Sequence, residues 1–139
     1  MGGKGIVRDR MPKVLDGIEV LVADDDIDNL DVLAHLMTEY GAVVRTAGSA
    51  QEVLDLIPTW TPDVLLLDIA MPLMDGYDLL KAIRREAMLR DVPAVAVTAG
   101  AYERDKQRAL EEGFAAHISK PVDIDTLVNL VRSLVTKKT

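Results

Sequence analysis

The sequence predicts a doubly wound α/β domain, a five-stranded parallel sheet with helices on both faces. Short aliphatic runs are apolar at consecutive positions rather than alternate ones, as expected of strands buried on both faces. Longer segments with apolar residues at helical spacing separate them. Polar residues stop the runs at Asp24, Asp68, Thr98 and Ser119-Lys120, which in such a sheet are the carboxyl ends of strands, where open α/β sheets hold their ligands.

In chain order, residues 1–17 are rich in glycine and carry Lys4, Arg8, Arg10 and Lys13 without any period, so they read as a flexible leader or linker remnant. The domain is expected over 18–136. Strands are expected at Glu19 to Ala23, Ala42 to Thr46, Val64 to Leu67, Ala94 to Val97 and Ala115 to Ile118. Leu30, Leu33, Leu36 and Met37 form the apolar stripe of a first helix, and Val53, Leu54 and Ile57 that of a second. Leu79, Leu80 and Ile83 mark a third helix, and Leu127, Leu130, Val131 and Leu134 the last. Gly41 and Gly113 follow helical segments where a left-handed cap is needed. Pro58 and Pro62 bracket the join between second helix and third strand, where proline can neither extend a helix nor enter a central ladder. Tyr102, Arg104, Lys106 and Arg108, interleaved with acidic residues, read as a solvated face of a fourth helix. Residues 137–139 form a charged tail.

Composition narrows the function. The 139 residues suffice for one domain with a sizeable core. A net charge of −7 and a pI of about 4.7 disfavour direct contact with nucleic acid or an anionic membrane. The absence of cysteine excludes disulfides and thiolate metal sites. No apolar run is long enough to span a bilayer and residues 1–17 lack a signal-peptide block, so the expected location is the cytoplasm.

The strongest chemical signal is acidic. Asp24, Asp25 and Asp26 follow one strand and Asp68 ends another, so neighbouring parallel strands would bring these groups to one small volume. Two carboxylates ~4 Å apart repel by about 4 kcal/mol at an effective dielectric near 20, which calls for a cation or raised pKa values. Hard oxygen ligands suit Mg²⁺, with Mn²⁺ also fitting. Asp26 reads differently, as the cap of the helix entered at Ile27. Asp75 and Gly76 read as a turn and helix start. Thr98 and Lys120 would add a hydroxyl and an ammonium to the same edge, a set able to hold a phosphoryl group on a carboxylate.

These residues resemble the receiver domains of two-component response regulators over roughly Ile18 to Leu134. The resemblance rests on the run from Val20 to Asp26, on Asp68 with Met71-Pro72-Leu73-Met74-Asp75-Gly76, on Val97-Thr98-Ala99 and on Lys120-Pro121. It implies a flavodoxin-like sheet of order 2-1-3-4-5. It further implies Asp68 as phosphoacceptor, assisted by Lys120 and Thr98. Mg²⁺ would be held by Asp25, Asp68 and the backbone carbonyl of Ala70, with Asp24 acting through water. A cis Lys120-Pro121 bond would aim the lysine. The donor would be a phosphohistidine on a histidine kinase or phosphotransfer protein. The domain would be a signalling phosphoacceptor that assists its own phosphorylation and dephosphorylation, rather than a turnover enzyme. Its output surface would be the fourth helix, fifth strand and fifth helix, contacting an unidentified partner.

The sequence departs from the family pattern in two places. His117 stands where the family usually has Tyr or Phe, whose ring moves with the threonine, so Thr98 and His117 form the expected switch pair, beside the plainer reading of a half-buried strand-end histidine. Ala70 and Gly100 are almost bare at two positions that commonly tune phosphate loss, so neither is expected to position a hydrolytic water. Two rival readings are a receiver-like scaffold working without phosphorylation and an aspartyl-phosphate phosphohydrolase. The first should have lost one of the acidic, Thr or Lys groups; the second needs a substrate-recognising cap for which the chain is short. The stretch from Gly113 to Asp123 resembles receivers in hybrid histidine kinases, and a free-standing regulator is equally compatible.

Overall fold

Strand β1 (Glu19–Ala23) leads into helix α1 (Ile27–Glu39), and the alternation continues through β2 (Val43–Ala47), α2 (Ala50–Leu56), β3 (Val64–Asp68) and α3 (Gly76–Ile83). A 3₁₀ turn at Ala87–Leu89 precedes β4 (Ala94–Thr98), α4 (Glu103–Glu111), β5 (Ala116–Ser119) and α5 (Ile124–Thr136). The computed structural model describes residues 13–100 and 102–136. All strand pairings are parallel and the order is β2-β1-β3-β4-β5, as the resemblance implies. Strand order reverses between β1 and β3, so their carboxyl ends flank a crevice.

Alternation along the strands divides the core in two. Leu21, Leu65, Leu67, Ala94 and Ala96 face a layer built from α2, α3 and α4 through Val53, Leu79, Leu80, Ile83 and Ala109. Val20, Val22, Val64, Leu66, Val95 and Val97 face α1 and α5 through Leu30, Leu33, Met37, Leu127 and Val131. Strands β3 and β4 are buried at every position, which accounts for their unbroken apolar runs.

The helix ends follow the sequence signals. Gly41 adopts φ +100°, with its N–H donating to Thr38 O and the Ala42 N–H reaching back to Met37 O. Gly113, at φ +107°, repeats the device, with Phe114 N–H donating to Ala109 O. These bonds close the last carbonyls of each helix. They also engage Ala42, so β2 begins at Val43, one residue later than expected. Strands β3, β4 and β5 run one residue further than their apolar stretches, because the backbone ladder pairs Asp68 with Val97 and Thr98 with Ser119 regardless of side-chain polarity.

The expected leader needs correction at its end. Leu15 is 0% exposed and joins the α1–α5 side of the core; its N–H donates to Tyr40 O, and the Gly17 N–H donates to Gly41 O. A Cβ on Gly41 would lie 2.8 Å from Asp16 Cα, so this glycine also admits the incoming turn. Residues 13–17 thus dock on the corner between α1 and β2, while 1–12, Ala101 and the tail at 137–139 lie outside the described residues.

Candidate functional site

Asp24 follows β1 and is only 2% exposed, with its backbone N–H donating to Ala47 O. Its Oδ1 accepts from Asp26 N–H at 2.9 Å and its Oδ2 from Asn29 Nδ2 at 2.6 Å. Asp26 turns away to cap α1, accepting from Asp28 N–H and Asn29 N–H. Three adjacent aspartates therefore have three different surroundings: Asp24 is buried and hydrogen-bonded, Asp25 is exposed at the crevice, and Asp26 serves the helix.

Asp68 ends β3 at 3% exposure. The chain then folds back: Ile69 N–H donates to Val97 O, Gly76 N–H donates to Ile69 O, and Asp75 caps α3 by accepting from Asp78 N–H. A Cβ on Gly76 would stand 2.9 Å from Asp68 O and 2.8 Å from Ile69 Cδ1, so glycine is what lets α3 start against the end of β3. Ala70 N–H donates to Asp68 Oδ1 at 3.3 Å, which puts this peptide beside the carboxylate.

Lys120 ties the two buried carboxylates together. Its Nζ lies 3.2 Å from Asp24 Oδ2 and 3.5 Å from Asp68 Oδ1. Lys120 N–H donates to Thr98 O at 2.7 Å, and the Lys120-Pro121 bond is cis, as the resemblance implies. Thr98, at the end of β4, is buried, but neither of its hydroxyl contacts goes to Asp68: Oγ1 lies 2.8 Å from Gly100 O and 2.7 Å from His117 Nε2. His117 is half-buried on β5.

The electrostatics follow from this geometry. Burial, and then the charge of Asp24, push the Asp68 carboxyl up to about 6 despite the nearby ammonium. Burial also works against the Asp24 charge, but the Asp26 N–H, Asn29 and Lys120 outweigh it and hold that carboxyl below its usual range. Burial pulls the Lys120 ammonium down, while the hydrogen bond to Asp24 and the charges of Asp68 and Asp24 raise it on balance. Two buried carboxylates thus share one cation. One ligand oxygen from each of Asp24, Asp25 and Asp68 falls within a mutual 4.8 Å, a hard-oxygen set that fits a small divalent cation and would be relieved of repulsion by it.

Sequence reasoning anticipated Asp24, Asp25, Asp68 and Lys120 at one edge, and they are there together. It missed Asn29, whose position in the first turn of α1 lets its amide reach back to Asp24. It also missed the Gly100 carbonyl as a partner of Thr98. Arg108 is more engaged than a solvated face suggests, its guanidinium lying 4.1 Å from the centroid of the Tyr77 ring, which is itself edge-on to Phe114.

A doubly wound parallel sheet whose crevice holds clustered aspartates and a lysine defines a CheY-like α/β domain. The chain belongs to the response regulator receiver domain family, whose model matches residues 20–132. It is 41% identical over 115 residues to an uncharacterised 14.6 kDa protein from the sodA1 3′ region of Leptolyngbya boryana, covering 83% of this chain and 88% of that protein. It is 38% identical over 112 residues to the sensor histidine kinase RcsC of Salmonella typhimurium, covering 81% of this chain and 12% of the kinase. The receiver domain of the Francisella response regulator 1452 superimposes with a TM-score of 0.82 at 31% identity, over 88% of this chain and 100% of that one. Receiver domains are phosphoacceptor signalling modules that bind Mg²⁺ through acidic residues and interact with histidine kinases or phosphotransfer proteins. Among the described residues, no helix is long and apolar enough to cross a membrane.

Proposed function

We propose that this domain accepts a phosphoryl group from a phosphohistidine onto Asp68 in a Mg²⁺-dependent reaction and thereby switches its affinity for a partner. The observation that carries the reading is Lys120 bridging Asp24 and Asp68, with Asp25 completing the oxygen cluster. An Asp68 oxygen attacks phosphorus as the bond to the donor imidazole breaks, and the leaving electron pair stays on the imidazole nitrogen. Lys120 meets the charge on the phosphoryl oxygens, and the Thr98 hydroxyl supplies a hydrogen bond once it leaves its present partners. Asp25, Asp68 and the Ala70 carbonyl would hold Mg²⁺ directly and Asp24 would act through water; the ion would neutralise charge on the transferring group.

The donor is a histidine kinase or a histidine phosphotransfer protein, and the setting is cytoplasmic. Output is assigned to α4, β5 and α5, where Tyr102 is exposed. The shift between conformations can be no larger than the differential stabilisation that the phosphoryl group provides. Incubation with a phosphorylated kinase or a small phosphodonor should give an acid-stable, base-labile label that needs Mg²⁺ and is absent from Asp68→Asn. Stoichiometric label on that variant would overturn the reading.

A further inference from the structure

We propose that His117 is a positioning residue that holds Thr98 in its resting orientation, so that phosphoryl uptake must break a hydrogen bond donated by the imidazole. The proposal rests on Asp68 being the phosphoacceptor. The Thr98 hydroxyl has two partners, Gly100 O at 2.8 Å and His117 Nε2 at 2.7 Å, both at full hydrogen-bonding distance. A carbonyl oxygen can only accept, and a hydroxyl carries one proton. That proton is therefore directed at Gly100 O, and the second contact requires a hydrogen on His117 Nε2.

Strand register explains why the imidazole can reach. Ala96 lies directly across from His117, and Thr98 is two residues further along β4 on the same face. Ala96 has no side chain beyond Cβ, so the ring has room to lean diagonally toward Thr98. The Thr98 hydroxyl, the only side-chain hydrogen-bond donor of β4, is spent on a backbone carbonyl, and its oxygen is pinned from β5. A Phe at position 117 could not supply such a bond, because its ring has no N–H or O–H.

The bond is read first on the intact domain. In ¹⁵N-imidazole spectra, His117 should carry its proton on Nε2, and its signals should shift when Mg²⁺ and beryllofluoride are added. A bare Nε2 with the proton on Nδ1, or His117 signals unmoved by beryllofluoride that does shift other residues, would overturn the proposal. The energetic reading is a titration with beryllofluoride at saturating Mg²⁺. His117→Leu should bind about two- to tenfold more tightly than the wild type, the net worth of one hydrogen bond. His117→Gln, whose amide can donate at similar reach, should return the affinity toward the wild-type value. In a Thr98→Ala background, His117→Leu should have no effect. An unchanged affinity for His117→Leu, or the same gain with and without Thr98, would overturn it. If His117→Leu does not fold, the spectra of the wild type decide. Failure of the wild type to take up any beryllofluoride would instead bring down the assignment of Asp68 as phosphoacceptor, and this proposal with it.

Discussion

Replacing Asp68 by asparagine should make the metal-free domain more stable at neutral pH. Burial and the Asp24 charge push the Asp68 carboxyl from 3.8 to about 6. A difference of about two pH units, at about 1.4 kcal/mol each, sets an upper bound near 3 kcal/mol on the cost of its ionisation at pH 7. That bound already contains the attraction of Lys120 at 3.5 Å; asparagine reproduces the packing and hydrogen bonding of the neutral carboxyl only in part, so some of the gain is returned. The net gain should be about 1 to 2 kcal/mol, or a melting temperature raised by about 3 to 6 °C. The sign follows from proton binding. The folded form holds the Asp68 proton more tightly than the unfolded chain, so this contribution is greatest below pH 3.8 and is lost as pH rises through about 6. The advantage of Asp68→Asn should therefore be full at pH 7 and close by about pH 4. Thermal or urea melts in chelator at several pH values measure it. A variant no more stable than the wild type at pH 7, or a gap that persists at pH 4, would refute the electrostatic argument. Adding Mg²⁺ should favour the wild type, because a ligand stabilises the form that binds it.

Lys120→Met leaves two buried carboxylates without their shared cation and should destabilise the metal-free domain by about 1 to 3 kcal/mol. Mg²⁺ should restore more of the melting temperature to this variant than it adds to the wild type, and equal shifts would count against the cluster as its binding site. Gly76→Ala brings a methyl against Asp68 O and Ile69, and should cost about 1 to 3 kcal/mol in a urea melt. Leu15→Ala should cost about 2 to 5 kcal/mol, whereas a truly loose leader would show no loss.

Much of the architecture is legible because it rests on patterns with few alternatives. The unbroken apolar runs of β3 and β4 admit burial on both faces, and the positive-φ caps at Gly41 and Gly113 sit where the helical stripes end. Asp26 and Asp75 cap their helices as their positions suggest. Leu15 escapes detection because the short apolar pair Val14-Leu15 between Lys13 and Asp16 has no period to betray it; only the corner between α1 and β2 gives it a place to go. In the site, carboxylates and a lysine at strand ends announce themselves by charge. The Thr98 hydroxyl does not, because one of its partners is a backbone carbonyl, which leaves no mark in the sequence, and the other is a histidine whose orientation depends on Ala96 across the ladder. Asn29 is hidden similarly, since an asparagine near a helix start suggests a cap rather than a reach back to Asp24.

The central claim is that Asp68 receives the phosphoryl group. Borohydride reduction of the phosphorylated domain converts an aspartyl phosphate to homoserine, and peptide mass spectrometry then locates it. The account predicts homoserine at position 68, formed only when Mg²⁺ was present during phosphorylation. Homoserine at position 24, 25 or 26, or label retained on a histidine with position 68 unchanged, would contradict it.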